Sequence, residues 1–427
     1  MILSLLEDKN KWMKGIPDTM SLAHISIPGT HQSCCTEGLA TATGWSNCQL
    51  KSATIPTQLK DGIRYLDLRC MVVNGEYLEI MHGDVDYRNT LTTVVKECVA
   101  FLEKNDSETI LMRIKQEGYS LVSDREFIKT FDSSLSQYKY KIHQSNSIPN
   151  LGDVRGKIVI ISNVSGLTGI QWGSINHQDV SKCSVEQKKR FFLDHIDAAV
   201  KSQYNTLFIN HSSIQAQGLN HVHFYANKMN EFLFDEFVAG LGTRDVDNSK
   251  NESPHIGIIP MDYYRGDVVD EIIKRNVVAD LLNMPVVCLR NLGFSDHHLT
   301  SSRYHDGSQR TVYCIETYKS DNQKYWLKID VGGNNFRLFN TYYKEFLYAS
   351  PRISGGNRRH VLTFMPGKYH EGCVWRFTKT ANGQYRIFND KYKEYLYISG
   401  YSSMLFTEEC NCLVGGNIPQ RGEWTVY

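Results

Sequence analysis

The 427-residue sequence predicts two domains of different class, an α/β domain over 1–295 and an all-β domain over 296–427. The first is expected to be an irregular (β/α) TIM-type barrel and the second a β-trefoil. Three observations predict this. A single core rarely grows past about 250–300 residues. Up to Ser295, short apolar runs alternate with amphipathic helical stretches, the pattern of a parallel sheet covered by helices. Beyond Ser295, "FRLFNTYYKEFLYAS" at 336–350 recurs as "YRIFNDKYKEYLYIS" at 385–399, an offset of 49 that also relates Trp326, Trp375 and Trp424.

Candidate strands of the first domain cover 22–27, 63–70, 78–82, 108–114, 157–162, 205–210, 256–261 and 284–289. Amphipathic stretches at 91–103, 187–203 and 267–280 lie between several of them. About eight strands in under 300 residues fit a β/α barrel, with a doubly wound sheet as the alternative. Several connections lack a clear helix, so the barrel is expected to be irregular. In the second domain two extended copies are each closed by a tryptophan, and 303–325 reads as a shorter first unit. Three repeats of about 40–50 residues without helical periodicity suggest a trefoil. Their Tyr and Phe residues read as core packing before any binding role.

Composition narrows the function classes. Lys plus Arg is 47 against Asp plus Glu 46, a net charge of +1. That balance gives no basis for broad electrostatic binding to nucleic acid. The N-terminal "MILSLLEDKNK" has no basic n-region and no small-residue cleavage site, and no run of 18 apolar residues suggests a membrane span. A soluble protein with neither signal peptide nor transmembrane segment is expected. The 11 cysteines include no CxxC pair, and they read as reduced, small apolar residues rather than a zinc site.

Polar residues gather where the candidate strands end. "ISIPGTHQS" runs into His31, "GIRYLDLRC" carries Asp67 and Arg69 on one face, and "EIMHGD" ends in His82. "ILMRIKQE" puts Arg113, Lys115 and Glu117 on one alternation, and "IGIIPMDYY" leads to Asp262. In a β/α barrel those ends share the face where active sites are built. Singly each residue has an ordinary reading: a satisfied histidine, a surface ion pair worth about 1 kcal/mol or less, or Asp262 capping a helix near 267. Together they suit phosphodiester transfer without a metal. One histidine takes a proton from the attacking hydroxyl while the other donates to the leaving oxygen. An arginine neutralises the phosphoryl oxygens, and a carboxylate fixes the tautomer of the base. A cation site would need gathered carboxylates, and Arg69 and Lys115 stand in its way. Two rivals remain: a metal-dependent phosphodiesterase using Asp67, Asp84 or Asp86, and a catalytically weak protein that binds lipid or glycan through 296–427.

The stretches "KWMKGIPDTMSLAHISIPGTHQS", "DGIRYLDLRC", "IMHGDVDYRNTL", "LGDVRGKIVIIS" and "GIIPMDYYRGDVVDEIIKRN" resemble bacterial-type phosphatidylinositol-specific phospholipase C over roughly residues 10–290. The resemblance implies an irregular β/α barrel with no cofactor. It implies cleavage of phosphatidylinositol, free or glycosylated, at a membrane surface, giving diacylglycerol and inositol 1,2-cyclic phosphate. Carried over, His31 is the general base on the inositol 2-hydroxyl and His82 the general acid. Asp262 orients His31, Arg69 binds the phosphoryl group, and Asp67 supports the Arg69 and His82 region. Lys115, Gln32, Asn163 and Asp179 fall around the substrate. Acidic ligands of calcium-dependent relatives stand where this chain has Arg69 and Lys115, which favours the metal-free branch. Two positions depart from the bacterial pattern: Gln32 stands where an aspartate assists the general acid, and Asn163 where an arginine binds inositol hydroxyls. Asp179 in "NHQDV" matches the inositol-binding acid. "WRFTKTANGQYRIFN" resembles ricin-type trefoils but lacks their Q-x-W triplet, which leaves a glycan or membrane ligand open.

Overall fold

The protein is described by a computed structural model covering residues 8–36, 47–202, 205–217, 220–238, 255–276, 286–294, 297–306, 309–317, 322–354, 358–364, 371–399, 407–413 and 420–427. These residues fall into two compact units, one holding 8–238 and 255–276, the other 286–427.

The first unit is mixed α/β. Its strands are β1 (Ile27–Thr30), β2 (Tyr65–Val73), β3 (Tyr77–His82), β4 (Val85–Thr90), β5 (Ile110–Gln116), β6 (Ile142–His143), β7 (Ile158–Ser162), β8 (Ile170–Gln171), β9 (Asn176–Gln178), β10 (Phe208–Asn210) and β11 (Ile258–Met261). They pair in the order β6-β7-β5-β2-β1-β11-β10-β9, with β8 beside β7. Every pairing along that path is parallel. Among the described residues no pairing joins β9 back to β6 or β8, so the sheet is a parallel half-barrel. β1 is wholly buried and lies tight on β2, since a Cβ on Gly29 would sit 2.8 Å from the Tyr65 ring. Helices cover the outside. Leu91–Lys104 buries Leu91, Val94, Val95, Cys98, Val99 and Leu102 on one stripe and is capped by Thr90. Val185–Lys201 opens with a Ser184/Gln187 capping box.

Three expected strands differ. Residues 22–24 form a 3₁₀ turn in which the Ser21 side chain accepts from the Ala23 amide, and the strand starts only at Ile27. The strand at 78–82 runs antiparallel to β2, because Asn74 and Gly75 both take positive φ and close a tight hairpin. The strand at 284–289 appears as Val286–Val287 and Leu289–Asn291, which pair antiparallel within the second unit.

That unit is a 13-stranded antiparallel sheet. Its strands are β12 (Val286–Val287), β13 (Leu289–Asn291), β14 (His297–Asp306), β15 (Gln309–Glu316), β16 (Trp326–Gly332), β17 (Asn335–Asn340), β18 (Glu345–Ser354), β19 (Arg358–Phe364), β20 (Trp375–Lys379), β21 (Tyr385–Asn389), β22 (Glu394–Ile398), β23 (Thr407–Leu413) and β24 (Glu423–Val426). Three hairpins, β14–β15, β18–β19 and β22–β23, contact one another through β15, β19 and β23. The indoles of Trp326, Trp375 and Trp424 are buried and donate to the carbonyls of Leu299, Leu347 and Leu396 at 2.9, 3.1 and 3.2 Å. The amides of Asn291, Asn340 and Asn389 donate in the same way to the carbonyls of Arg421, Gln323 and Gly372. The 49-residue period therefore reaches back to Asn291, ahead of the change in texture at Ser295.

Candidate active site

Parallel pairing of β1 with β11 sets Thr30 opposite Met261. The next residues, His31 and Asp262, therefore leave the sheet side by side. His31 Nδ1 lies 2.8 Å from Asp262 Oδ1, and its Nε2 lies 3.0 Å from a guanidinium nitrogen of Arg69. A guanidinium only donates, so Nε2 holds the lone pair and Nδ1–H donates to Asp262. This is the tautomer of a general base. The backbone holds it firmly: Gln49 bridges the carbonyls of His31 and Met261 at 2.9 Å each.

Asp67 and Arg69 project from one face of β2, in register with Arg113 and Lys115 of β5. The buried Asp67 carboxylate lies 3.6 Å from Arg69, 3.5 Å from Arg113 and 3.9 Å from His31 Nε2. Burial opposes its ionisation, but Arg113 and Arg69 outweigh burial and hold the carboxyl far below the usual range. Arg69 also pairs with Glu117 at 3.0 Å, and Lys115 reaches the same carboxylate at 2.7 Å. Glu117 accepts the Gly83 amide at 2.8 Å. His82, the last residue of β3 and half-buried, is thereby brought to the Arg69 side of the site.

Arg113 is the hub on the other side. Its Nε donates to Asn163 Oδ1 at 2.8 Å, its guanidinium stacks on Trp172 at 3.5 Å, and Nη1 lies 3.8 Å from Asp179. His211 is fully buried, edge-on to His31 with ring centroids 5.5 Å apart and 4.0 Å from Asp179. Burial pushes its pKa down to about 3, so it is neutral near pH 7 and gains charge only in the acid range where Asp179 titrates. Burial also opposes ionisation of Asp179, yet His211, His31 and Arg113 hold its pKa below the ordinary value.

The structure thus brings His31, Asp67, Arg69 and Asp262 together directly, and links Lys115 and the His82 turn through Glu117. Asp179 and Asn163 meet at Arg113. Gln32 turns inward: its backbone amide donates to Asp67 at 3.3 Å, and its side-chain oxygen accepts from the Cys35 thiol at 3.2 Å. Sequence reasoning placed Arg113 and Glu117 on the face of the site without giving either a role, and passed over His211 and Trp172. One signal was available for His211, since "LFINHSS" repeats the form of "ISIPGTHQS", an apolar run ending in histidine.

Two trios of potential ligand atoms each gather within 4.8 Å, His31 with Asp67 and His211, and His31 with Cys48 and Asp262. A cation fits neither. Arg69 and Arg113 press on the first at 3.0 and 3.5 Å. In the second, burial pushes the Cys48 thiol well up and keeps it protonated. Asp86 is engaged in its own turn, accepting from the Arg88 amide at 2.6 Å.

Comparison with known proteins points to the same family over a similar share of the chain. The family described as "Phosphatidylinositol-specific phospholipase C, X domain" matches residues 25–163. A 1-phosphatidylinositol phosphodiesterase of Listeria monocytogenes is 33% identical over 283 residues, covering 62% of this chain and 84% of the relative. A Staphylococcus aureus protein of the same name is 26% identical over 315 residues, covering 64% and 96%. Among solved structures, the phosphatidylinositol-specific phospholipase C of L. monocytogenes superposes with a TM-score of 0.54 at 29% identity, covering 63% of this chain and 99% of that one.

Proposed function

Since the chain belongs to the phosphatidylinositol-specific phospholipase C family, we infer that it is a phospholipase C that cleaves phosphatidylinositol without a metal. The reading is carried by one observation, the His31 base held in its working tautomer between Asp262 and Arg69. His31 Nε2 takes the proton of the inositol 2-hydroxyl, which attacks phosphorus to form the 1,2-cyclic phosphate. His82 protonates the departing diacylglycerol oxygen. Arg69 supplies the charge that stabilises the phosphoryl oxygens, and Asp67 keeps its guanidinium in place. Lys115 adds positive charge at the same edge. Asp179 accepts from inositol hydroxyls with Asn163 beside it, whereas Gln32, turned inward, acts only through its backbone amide on Asp67. Five exposed apolar side chains, Leu50, Tyr119, Leu121, Val180 and Phe224, lie on segments that follow the C-terminal ends of β1, β5, β9 and β10. They support action at a phosphatidylinositol-containing membrane surface.

The half-barrel is assigned as an irregular TIM-type barrel whose catalytic residues end its strands. The second unit is assigned as a β-trefoil with a glycan or membrane ligand. Its three-fold recurrence of tryptophan and asparagine bonds and its three mutually paired hairpins support the trefoil. The test is turnover of phosphatidylinositol vesicles with and without excess chelator, following the cyclic phosphate. Equal rates with cyclic phosphate as first product are expected. Loss of activity on chelation would return the metal-dependent rival.

A further inference from the structure

Lys188 has no part in the chemistry above, yet its side chain is fully buried. It sits on the inward stripe of the helix Val185–Lys201, among Phe192, His195, Ile196 and Ala199. Among the described residues its ammonium makes no ion pair. Nζ donates instead to the Val180 carbonyl at 2.8 Å and to Gln178 Oε1 at 3.1 Å. A buried cation without a carboxylate partner is costly, and an architectural role alone would be served better by an apolar residue.

The two acceptors flank Asp179. The same turn is tied from within, where the Val180 amide donates to Gln178 Oε1 at 2.9 Å. It is tied from β10 as well, where the Gln178 amide donates to Asn210 Oδ1 at 2.9 Å and to the His211 carbonyl at 3.0 Å. Everything around Asp179 is bonded, while its own carboxylate stays partly exposed, 3.8 Å from Arg113 and 4.0 Å from His211. That is the state of a group left accessible to a ligand and held by its neighbours.

We propose that Lys188 is a positioning residue for head-group binding: by clamping Gln178 and Val180 it fixes the turn that presents Asp179 to the ring hydroxyls of the inositol head group. The inference rests on the reading of Asp179 as the acid that grips those hydroxyls. Charge strengthens the clamp, because bonds from an ammonium to neutral oxygens are shorter and stronger than those from an amine. Burial pushes Lys188 down to about 8, against the opposing pull of Cys183, Asp179 and Asp262, and the Cys183 thiol is itself pushed up by burial and stays protonated. His195, on the same helix, is itself pushed down by burial to about 4 and adds no charge near neutrality. Lys188 is therefore a cation below about pH 8 and loses its charge above it, so head-group binding weakens on the alkaline side.

The experiment is steady-state cleavage of phosphatidylinositol in detergent micelles by the full chain, from about pH 6 to about pH 9. In parallel, inhibition by myo-inositol is measured for wild type, Lys188→Met, Lys188→Arg and Asp179→Asn. Wild-type KM should rise about tenfold above pH 8, read separately from any change in kcat that the acid-base pair brings. Lys188→Met should show the raised KM and weakened inhibition at every pH. Lys188→Arg, charged throughout, should abolish the alkaline rise. An unchanged KM in Asp179→Asn would remove the reading of Asp179 and this proposal together. A raised KM in Asp179→Asn with a normal one in Lys188→Met would remove the Lys188 role alone. A wild-type KM that stays flat through pH 8 overturns the proposal even where a variant fails to fold.

Discussion

His31 is held by one acceptor and one donor, and each makes a separate prediction. An amide at 262 could donate as well as accept, so Asp262→Asn permits the tautomer with a proton on Nε2, facing Arg69. Turnover of phosphatidylinositol should fall about 10²–10⁴-fold with an unchanged far-ultraviolet spectrum. His82→Ala should fall by a similar factor, about 10²–10⁴, since the leaving oxygen then departs unprotonated. A near-normal rate in either folded variant would dismiss the assignment of that residue. Arg69 is the third case. Arg69→Asp would place a carboxylate beside Asp67 and Glu117, each now paired with that guanidinium. Metal-free activity should drop at least about 10²-fold. Calcium should restore little of it, because Lys115 opposes a cation there. Full metal-free turnover would exclude Arg69 from phosphoryl binding.

Elements explain why these residues meet. The register of β1 on β11 needs β1 to lie close on β2, and that closeness needs Gly29. Gly29→Ala would put a methyl into the Tyr65 ring, an overpacking that should cost about 1–3 kcal/mol in a urea titration and shift His31 with the strand. An unchanged midpoint would show that the ring yields. The same scale shows what could be read in advance. His31, Asp67, Arg69 and Asp262 were legible because each follows or ends an apolar run, and strand ends converge in this architecture. The direction of β3 was also legible, though passed over: "VVNGEY" carries the Asn-Gly pair that turns a strand back on itself. Lys188 left a fainter sign, a lysine at the i+3 position of the stripe Val185, Phe192, Ile196 and Ala199. Arg113 could not be told from Lys115, because alternation assigns both to one face. Only the bond to Asn163 and the stack on Trp172 separate their roles.

At the scale of the molecule, pH acts through buried histidines. Burial pushes His195 and His255 down to about 4 and His211 to about 3, whereas an unfolded histidine titrates near 6.5. Because the folded values are depressed, the unfolded chain takes up protons first as pH falls. Their contribution to stability is whole above about pH 6.5 and is lost as pH drops toward about 4, at roughly 1.4 kcal/mol per group per pH unit. The urea midpoint of the first unit should therefore fall steeply between pH 7 and pH 5, well before Asp67 can lose its charge. A midpoint flat over that interval would show that these rings are hydrated in solution.

The second unit carries a consequence for biosynthesis. Its last strand, β24, lies on its second, β13, with Asn291 opposite Trp424. Trp424 also fills the third of the three equivalent core positions. A growing chain that has not yet released residues 423–426 from the ribosome has neither the strand that seals the ring nor the side chain that completes its centre. This unit must therefore wait for the end of its own synthesis and fold in one late, long-range event. β11, the last strand of the first unit, has by then been outside for more than a hundred residues of synthesis. The two halves of the chain are thus separated in time as well as in class, and a ribosome stalled short of Trp424 would hold a first unit with all its strands beside an open second one.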